Sequence, residues 1–197
     1  IAAPFLSLWI LSPAIVNALS KPSSTSKSKL KESQKEYLRN LARKTWSFFE
    51  DLVSAEDNWL PPDNLQEYPV PVIAHRTSPT NIGLSLLANL SAYDFGYVTT
   101  TQLIKRTENT FSTLKKLDRF EGHFYNWYDT QNLRVLSPRY ISTVDSGNLA
   151  GHLLTLRQGF LAIPYQRIVD PKTFRGLEDT LRVTIDAIPV SETELRE

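Results

Sequence analysis

Cysteine is absent from this 197-residue sequence, and neither sign of charge is in excess, with 22 basic and 21 acidic residues. Without cysteine the chain can form neither a disulfide framework nor a thiolate metal site. The balanced charge produces no field of the kind that attracts nucleic acid, so we expect no nucleic-acid partner and consider neutral ligands instead. The sequence has three histidines, far apart, and no glycine-rich phosphate loop. We therefore predict no metal site, nucleotide site or cofactor in this segment.

The opening stretch, IAAPFLSLWILSPAIVNALS, carries no charge over positions 1–20. An α-helix of about 20 residues can cross the hydrocarbon layer, and the lysines cluster after the apolar run rather than before it. We predict a transmembrane helix over residues 1–20, with a truncated signal peptide or a buried core helix as the alternatives. The lysines that follow predict that the next domain lies on the cytoplasmic side.

The rest of the sequence divides into a linker and one domain. Residues 21–34 begin with KPSSTSKSK, a serine- and lysine-rich stretch with nothing to bury. An apolar content of 41% is enough for one sizeable core, which we assign to residues 35–197. The chain starts with Ile and ends in a charged run, so we expect it to be an internal piece of a longer protein.

Five segments of the domain have apolar residues at helical spacing, and no parallel β pattern is present, so the predicted class is all-α. Most begin at a capping residue, in two cases followed by proline. The predicted starts are Lys35, Ser78-Pro79, Thr99–Thr101, Asp145-Ser146 and Asp170-Pro171. The second helix is expected to end near Gly96, and the fifth at Pro189.

Two long loops, residues 55–77 and 119–144, precede the second and fourth helices and are rich in aromatic and polar residues. Loops of this length inside a compact domain are usually functional. If consecutive helices run antiparallel, both loops meet at one end of the domain. That is the geometry of an α/α toroid whose inner helices carry a pocket at their N-terminal ends.

The second loop contains HFYNWYD, in which aromatic rings alternate with hydrogen-bonding groups. This mixture suits a sugar, because a ring packs on the C–H face of a pyranose while polar groups bind its hydroxyls. The alternative is that the rings belong to the core and their polar tips are satisfied locally. Glycoside chemistry normally uses two carboxylates, but spacing alone does not pair the candidates, and capping explains Asp145 as well as substrate contact does. Those candidates are Asp57, Asp63, Asp129 and Asp145.

Four stretches carry a resemblance to a known family: AEDNWLPPDNLQE, AHRTSPTNIGLSLLANLSAYDFGY, GHFYNWYDT and PRYISTVDSGNLAGHLL. Over roughly residues 38–161 they resemble the middle region of bacterial cyclic β-1,2-glucan synthases, which are very long inner-membrane proteins. The apolar stretch LWILSPAIVNALSKP is similar to the last membrane helix of their glycosyltransferase module. The resemblance implies a partial, glucoamylase-like (α/α)6 toroid of about five helices, preceded by a transmembrane helix.

The implied function is that of a junction within a membrane-bound synthase. Upstream, a glycosyltransferase module would use UDP-glucose and a divalent metal; downstream, the (α/α)6 domain would cyclise the glucan by transglycosylation. The implied partners are a β-1,2-glucan chain, the remaining domains of the same polypeptide and the inner membrane, with the soluble part cytoplasmic. A fragment of a glucoamylase-like β-glucan hydrolase and a non-catalytic, membrane-tethered helical binding module are the alternatives.

The acidic residues credited with cyclisation in that family lie beyond Glu197, so the resemblance carries over no catalytic residue, and the chain alone is expected to be inactive. A closed ring needs twelve helices, so we also expect apolar faces to be exposed. What carries over is a role in shaping the glucan cleft. The residues are Trp59, His75, Arg76, Asn81, His123, Tyr125, Asn126, Trp127, Tyr128, Asp129, Tyr140, Asp145, Ser146 and Asn148.

Overall fold

The computed structural model describes residues 3–20, 30–167 and 170–188. The chain divides into two compact units, residues 1–35 and residues 36–197. The first unit contains helix α1, Ala3–Leu19, which has 17 residues and includes Pro13. The second unit contains the elements that form the candidate site.

The transmembrane helix predicted for residues 1–20 is not supported. No helix within the described ranges is both long and apolar enough to cross a membrane. Residues 1–2 and the KPSSTSKSK stretch, residues 21–29, lie outside the described residues. The cytoplasmic placement of the domain stays a prediction.

Five further α-helices occur in the described residues, in agreement with the five predicted segments. Their bounds are α2 Glu32–Leu52, α3 Pro79–Phe95, α4 Thr100–Leu114, α5 Thr143–Ala162 and α6 Pro171–Ala187, and a 3-10 turn, Ile163–Tyr165, continues α5. The mostly helical class is therefore confirmed. Pro189, the predicted stop of the fifth helix, lies outside the described residues.

Six two-residue strands, which the sequence did not predict, lie in the two long loops. They form three antiparallel ladders: β1 Leu65–Gln66 with β2 Val72–Ile73, β3 Arg76–Thr77 with β6 Tyr128–Asp129, and β4 Arg119–Phe120 with β5 His123–Phe124. A strand of two residues is too short to show the alternation by which strands are recognised. The ladders matter for function because one of them joins the two loops.

The capping residues of α3, α4 and α6 are those that the sequence predicts. Ser78 Oγ accepts the Asn81 N–H at 3.2 Å, and Gly96 ends α3 with a φ of 84°, which a glycine adopts without strain. Thr99 forms a capping box with Gln102 at the start of α4. Asp170 accepts the Lys172 N–H at 2.8 Å at the start of α6.

Helix α5 begins earlier than predicted. The sequence marked Asp145-Ser146 as the cap, but the cap is Ser142, whose Oγ accepts the Asp145 N–H at 3.1 Å. Because a serine hydroxyl reaches the third helical N–H, Ser142 displaces Asp145 from the capping role and leaves its carboxylate available for other contacts. Helix α2 also starts early, at Glu32 rather than near Lys35, because its first turn is polar and gives no apolar signal.

The core is built around α3, which packs along α5 and also contacts α4 and α6. One cluster lies toward the two loops and a second lies around Trp46 of α2. The first comprises Leu60, Ile82, Leu86, Leu114, Leu117, Tyr128 and Leu156. Since α3 has buried residues along most of its length, it occupies the position expected of an inner helix of a toroid.

Helix α6 packs through small and polar residues, and its apolar side is exposed. Asp179 is buried and pairs with Arg39 at 2.7 Å, and Tyr97 Oη donates to the same carboxylate at 3.1 Å. Burial, together with the charge of Asp179, raises the pKa of Tyr97. The prediction that apolar faces are exposed is confirmed on this helix by the side chains of Phe174, Leu177, Leu181 and Ile185.

Replacing Gly176 by alanine is expected to lower the free energy of unfolding by about 1.5 kcal/mol. An added Cβ would lie 2.3 Å from the carbonyl oxygen of Gly96, and backbone cannot rotate away as a side chain can. Urea denaturation measures the effect. Gly151→Ala is the matched control: its Cβ would meet nothing within 4 Å, and alanine in a helix should raise stability slightly. Equal stability of the two variants would contradict the close packing of α6 on the end of α3.

Candidate functional site

The two long loops meet at the N-terminal ends of α3 and α5, as the sequence predicts. Strands β3 and β6 pair with Arg76 opposite Asp129. The Thr130 N–H donates to the His75 carbonyl at 3.1 Å, and Asn58 Nδ2 donates to the Thr130 carbonyl at 2.8 Å. Backbone and side-chain bonds therefore hold the loops together over several residues on either side of the ladder.

An ion pair between Arg76 and Asp63 forms one side of the site. Nε and Nη2 of Arg76 donate to Asp63 Oδ2 at 3.1 and 2.9 Å, and Asn81 Nδ2 donates to Asp63 Oδ1 at 3.2 Å. The Arg76 guanidinium also lies over the Trp127 ring, with Cζ 5.2 Å from the ring centroid. Residues from the first loop, the second loop and α3 thus make one continuous cluster.

Asn126 lies at the centre of the second loop and is 5% exposed. The neighbours assign the orientation of its amide: an indole N–H can only donate and a carboxylate can only accept, so Oδ1 accepts from Trp127 Nε1 at 2.7 Å and from Tyr140 Oη at 2.6 Å, while Nδ2 donates to Asp145 Oδ2 at 2.8 Å. The backbone N–H of Asn126 donates to the Tyr140 carbonyl at 2.9 Å. One buried amide therefore connects an indole, a phenol and a carboxylate.

Asp145 lies in the first turn of α5, beside the start of α3. Burial opposes its ionisation, but hydrogen bonds from Ser142, Thr80 and Ser78 outweigh that effect and hold the pKa of its carboxyl below the ordinary value. Asn148 Nδ2 donates to Thr80 Oγ1 at 3.1 Å. The first turns of α3 and α5 are joined by these side chains.

A second polar group lies where the loops cross. Asp57 is buried, and its Oδ1 contacts His75 Nδ1 at 2.8 Å and accepts a hydrogen bond from Thr130 Oγ1. The His75 ring is partly exposed, so its other nitrogen is the one available to a ligand. The contact with Asp57 fixes the position of the His75 ring, and this polar group is separate from the cluster around Asp63.

Trp59 is half-buried and held by its backbone. It has a φ of 61°, its N–H donates to the Ser54 carbonyl at 2.7 Å, and its carbonyl accepts from Thr110 Oγ1 at 3.0 Å. The Trp59 backbone is therefore bonded to α4, whereas Trp127 is held by residues of the two loops. It is partly accessible, as a sugar-contacting residue needs to be.

Three further predicted residues in the second loop lie in different environments. Tyr128 is fully buried, donating to the Asp118 carbonyl and accepting the Tyr125 N–H, each at 2.7 Å. Burial raises the pKa of Tyr128 to about 12. Asp129 Oδ1 accepts two backbone N–H groups of the next turn, and His123 is exposed in β5. Tyr128 and Asp129 therefore support the loop.

Replacing Tyr128 by phenylalanine is expected to lower the free energy of unfolding by about 1 kcal/mol, because two buried hydrogen bonds lose their partner. Binding of a ligand at the loop surface should be unaffected, since the ring contacts only protein. Thermal unfolding and a binding titration measure the two effects. Tyr37→Phe, at an exposed position on α2, is the control. A loss of ligand affinity without a loss of stability would contradict the core position of Tyr128.

The sequence predicted most residues of the cluster, but it did not assign Asp63, Thr80 and Thr130 to it. Asp63 was predicted only as one of four candidate carboxylates for glycoside chemistry, and Thr80 and Thr130 were not predicted. Their positions carried a weak signal: Thr80 is in the first turn of α3, and Asp63 directly follows the paired prolines 61 and 62. Within the described residues, no group of three or more histidine and acidic side chains is arranged to hold a metal ion.

Comparison of sequences identifies a relative. Over 157 residues, 79% of this chain, the sequence is 46% identical to the cyclic beta-(1,2)-glucan synthase NdvB of Rhizobium meliloti (strain 1021). The chain is homologous to a segment of cyclic β-1,2-glucan synthases. It spans 6% of the length of NdvB, so the similarity concerns one part of that protein. No protein-family model matches the chain.

Comparison of structures identifies the fold. An endo-beta-1,2-glucanase from Chitinophaga pinensis superposes with a TM-score of 0.52 at 17% identity, covering 79% of this chain and 36% of that protein. A proposed glucoamylase from Bacteroides fragilis gives a TM-score of 0.54 at 20% identity, covering 83% and 37%. A beta-1,2-glucanase from Parabacteroides distasonis gives 0.52 at 17% identity, covering 79% and 21%. The chain therefore has part of a glucoamylase-like fold, consistent with a partial toroid.

Proposed function

We propose that this chain forms part of the glucan-binding cleft of an enzyme that processes β-1,2-glucan, as a segment of a cyclic β-1,2-glucan synthase. The observation that carries the proposal is the position of Trp127 at the junction of the two loops. Arg76 lies over its ring, and Asn126 holds its indole N–H. A fixed, partly accessible ring among hydrogen-bonding groups suits a neutral polysaccharide. The 46% identity to NdvB supports the choice of glucan.

The residues proposed to contact glucan are those of the cluster with accessible side chains. Arg76, Tyr140 and Asn148 are exposed, while Trp127 and Asn81 are half-buried. His75 and Trp59 extend the surface along the first loop, His123 and Tyr125 along the second, and Ser146 lies beside Asp145 in α5. Tyr128 and Asp129 are proposed to act indirectly, because their polar atoms are bonded within the loop.

A glucoamylase-like hydrolase acting on β-glucan is the second candidate. The fold similarity to the glucanases from Chitinophaga pinensis and Parabacteroides distasonis favours it. Synthase and hydrolase would use the same cleft and differ in whether a sugar hydroxyl or water accepts the glycosyl group. We propose the synthase because the sequence identity to NdvB, 46%, is far above the 17% shared with either glucanase.

Calorimetric titration of the full chain with linear β-1,2-glucan tests the binding proposal, with linear β-1,3-glucan as the control. A mild detergent should be present, since α6 exposes apolar side chains. Binding of the β-1,2-linked chain in preference to the β-1,3-linked chain is expected. Absence of binding to both, or equal binding of both, would contradict the proposal.

Product analysis separates the two candidates. Linear β-1,2-glucan is incubated with the longer protein that carries this segment, and the products are identified by mass. A cyclic product has one water fewer than the linear glucan of the same length. Cyclic products support the synthase, and only shorter linear products support the hydrolase. The chain by itself is expected to give no turnover.

A further inference from the structure

Asn126 is a buried amide whose side chain bonds three other side chains of the cluster at once. It is 5% exposed, so its own surface is too small to bind a sugar hydroxyl as an accessible residue would. Each polar atom of its side chain is used: Oδ1 accepts from Trp127 and Tyr140, and Nδ2 donates to Asp145. Of these three partners, Tyr140 is exposed and the other two are half-buried.

We propose that Asn126 is a positioning residue, which sets the orientation of the Trp127 ring, the Tyr140 hydroxyl and the Asp145 carboxylate relative to one another. The inference rests on the proposed glucan cleft and adds how its geometry is maintained. A primary amide suits this place because it offers an acceptor and a donor on the same rigid plane. The acceptor serves the indole and the phenol of the second loop, and the donor serves the carboxylate on α5.

The neighbouring contacts explain why these three partners need a common support. Trp127 belongs to the second loop and carries Arg76 over its ring, whereas Asp145 belongs to α5 and is bonded by hydroxyls at the start of α3. Asn126 is therefore a second link, beside the bond from Asn81 to Asp63, between the Arg76 side of the site and the helix ends. A side chain with only acceptors would leave Asp145 facing another lone pair, and one with only donors would leave the indole N–H without a partner.

The variant Asn126→Asp tests the role because it removes the donor and keeps the acceptors. The new carboxylate would touch Asp145. Two carboxylates in contact keep one shared proton at pH values above the usual pKa range of a single carboxyl group. The titratable groups bonded to Asn126 are Asp145 and Tyr140; beyond Trp127, Arg76 lies over the indole ring and is paired with Asp63. With the shared proton present, the donor to Asp145 is restored; once it is lost, the pair repels.

We expect the affinity of Asn126→Asp for linear β-1,2-glucan to stay within about twofold of the wild type at pH 5 and to fall about tenfold by pH 8. Asn132→Asp is the matched control. It introduces the same charge in the same loop at an exposed position and keeps the acceptor for the Arg134 N–H. Its affinity should equal that of the wild type at each pH. Affinities of Asn126→Asp that equal the wild type from pH 5 to pH 8 would overturn the inference.

A second readout does not depend on glucan. The indole N–H resonance of Trp127, assigned by its loss in Trp127→Phe, should shift with pH between 5 and 8 in Asn126→Asp and stay constant in the wild type. If the wild type binds no glucan, the proposed function fails, while this resonance still decides whether Asn126 organises the cluster. If the Trp127 resonance of Asn126→Asp does not respond to pH, then Asn126 does not organise the cluster.

The exchange variant, Asn126→Asp combined with Asp145→Asn, covers the case in which the single variant does not fold at pH 8. It restores one donor and one acceptor across the same contact, with no second carboxylate. The exchange variant should fold, and its Trp127 resonance should be constant from pH 5 to pH 8. A resonance that still moves with pH, or failure of the exchange variant to fold, would count against the pairing of residues 126 and 145.

Discussion

Replacing Trp127 by alanine is expected to weaken the binding of linear β-1,2-glucan by about 30-fold, which corresponds to about 2 kcal/mol. The ring is partly accessible, and its indole N–H and one of its two π faces are already in contact with protein groups, so its orientation is fixed before a ligand binds. Removing it deletes the apolar surface on which the C–H groups of a glucose unit would pack. Isothermal titration of wild type and variant measures the difference.

Two comparisons show whether the loss belongs to the ring itself. Trp127→Phe keeps an aromatic face but loses the N–H that Asn126 Oδ1 accepts, so its loss of affinity should be smaller than that of Trp127→Ala. Tyr37→Ala removes an exposed aromatic side chain from α2 and should leave affinity unchanged. The Arg76→Ala and Trp127→Ala changes should not add, because Arg76 lies over the same ring. Unchanged affinity of Trp127→Ala in a folded chain would remove Trp127 from the proposed site.

Replacing Asp145 by alanine is expected to lower the free energy of unfolding by about 3 kcal/mol near neutral pH and to abolish measurable glucan binding. The carboxylate accepts from Asn126 Nδ2 and from hydroxyls at the starts of α3 and α5, so several donors lose a charged partner at once. Chemical denaturation measures the stability, and the same titration measures binding. Asp94→Ala, at an exposed position near the end of α3, is the control and should change neither quantity appreciably.

The stabilising effect of Asp145 should depend on pH in one direction. Its pKa in the folded chain lies below the ordinary value of an aspartate, so the folded state binds this proton less readily than the unfolded state does. The contribution is therefore complete above about pH 4, the unfolded value, and is lost as the pH falls through the lower folded value. Wild type and Asp145→Asn should converge in stability in that acidic range. A constant difference between them from pH 7 to pH 2 would contradict the lowered pKa.

Helix positions were predictable because their signals are local. Ser78, Thr99 and Asp170 are capping residues followed by apolar residues at helical spacing, and the helices begin where these residues indicate. The start of α5 was predicted wrongly because two capping candidates lie three residues apart and sequence alone does not rank Ser142 above Asp145. The membrane span was predicted from a run of uncharged residues, and the described residues contain no helix that is long and apolar enough to cross a membrane.

The exposed side of α6 shows a different limit. Periodicity correctly grouped Phe174, Leu177 and Leu181 on one face, and a grouped apolar face is normally the packed one. In the structure the opposite face packs, through Gly176 against the backbone of Gly96 and through Asp179 against Arg39. An apolar pattern reports which residues share a face, but the neighbour that a face meets depends on the rest of the fold.

For the candidate site, the sequence by itself determined the residue types, their grouping into two loops, and the relationship to cyclic β-1,2-glucan synthases. Only the tertiary structure decided that Asn126 bonds Trp127, Tyr140 and Asp145, that Arg76 pairs with Asp63, and that Tyr128 is buried. The reason is physical. Capping and helical periodicity act between residues a few positions apart, whereas the contacts of Arg76 with Asp63 and of Asn126 with Tyr140 join residues 13 and 14 positions apart, and Arg76 reaches Trp127 only when β3 pairs with β6.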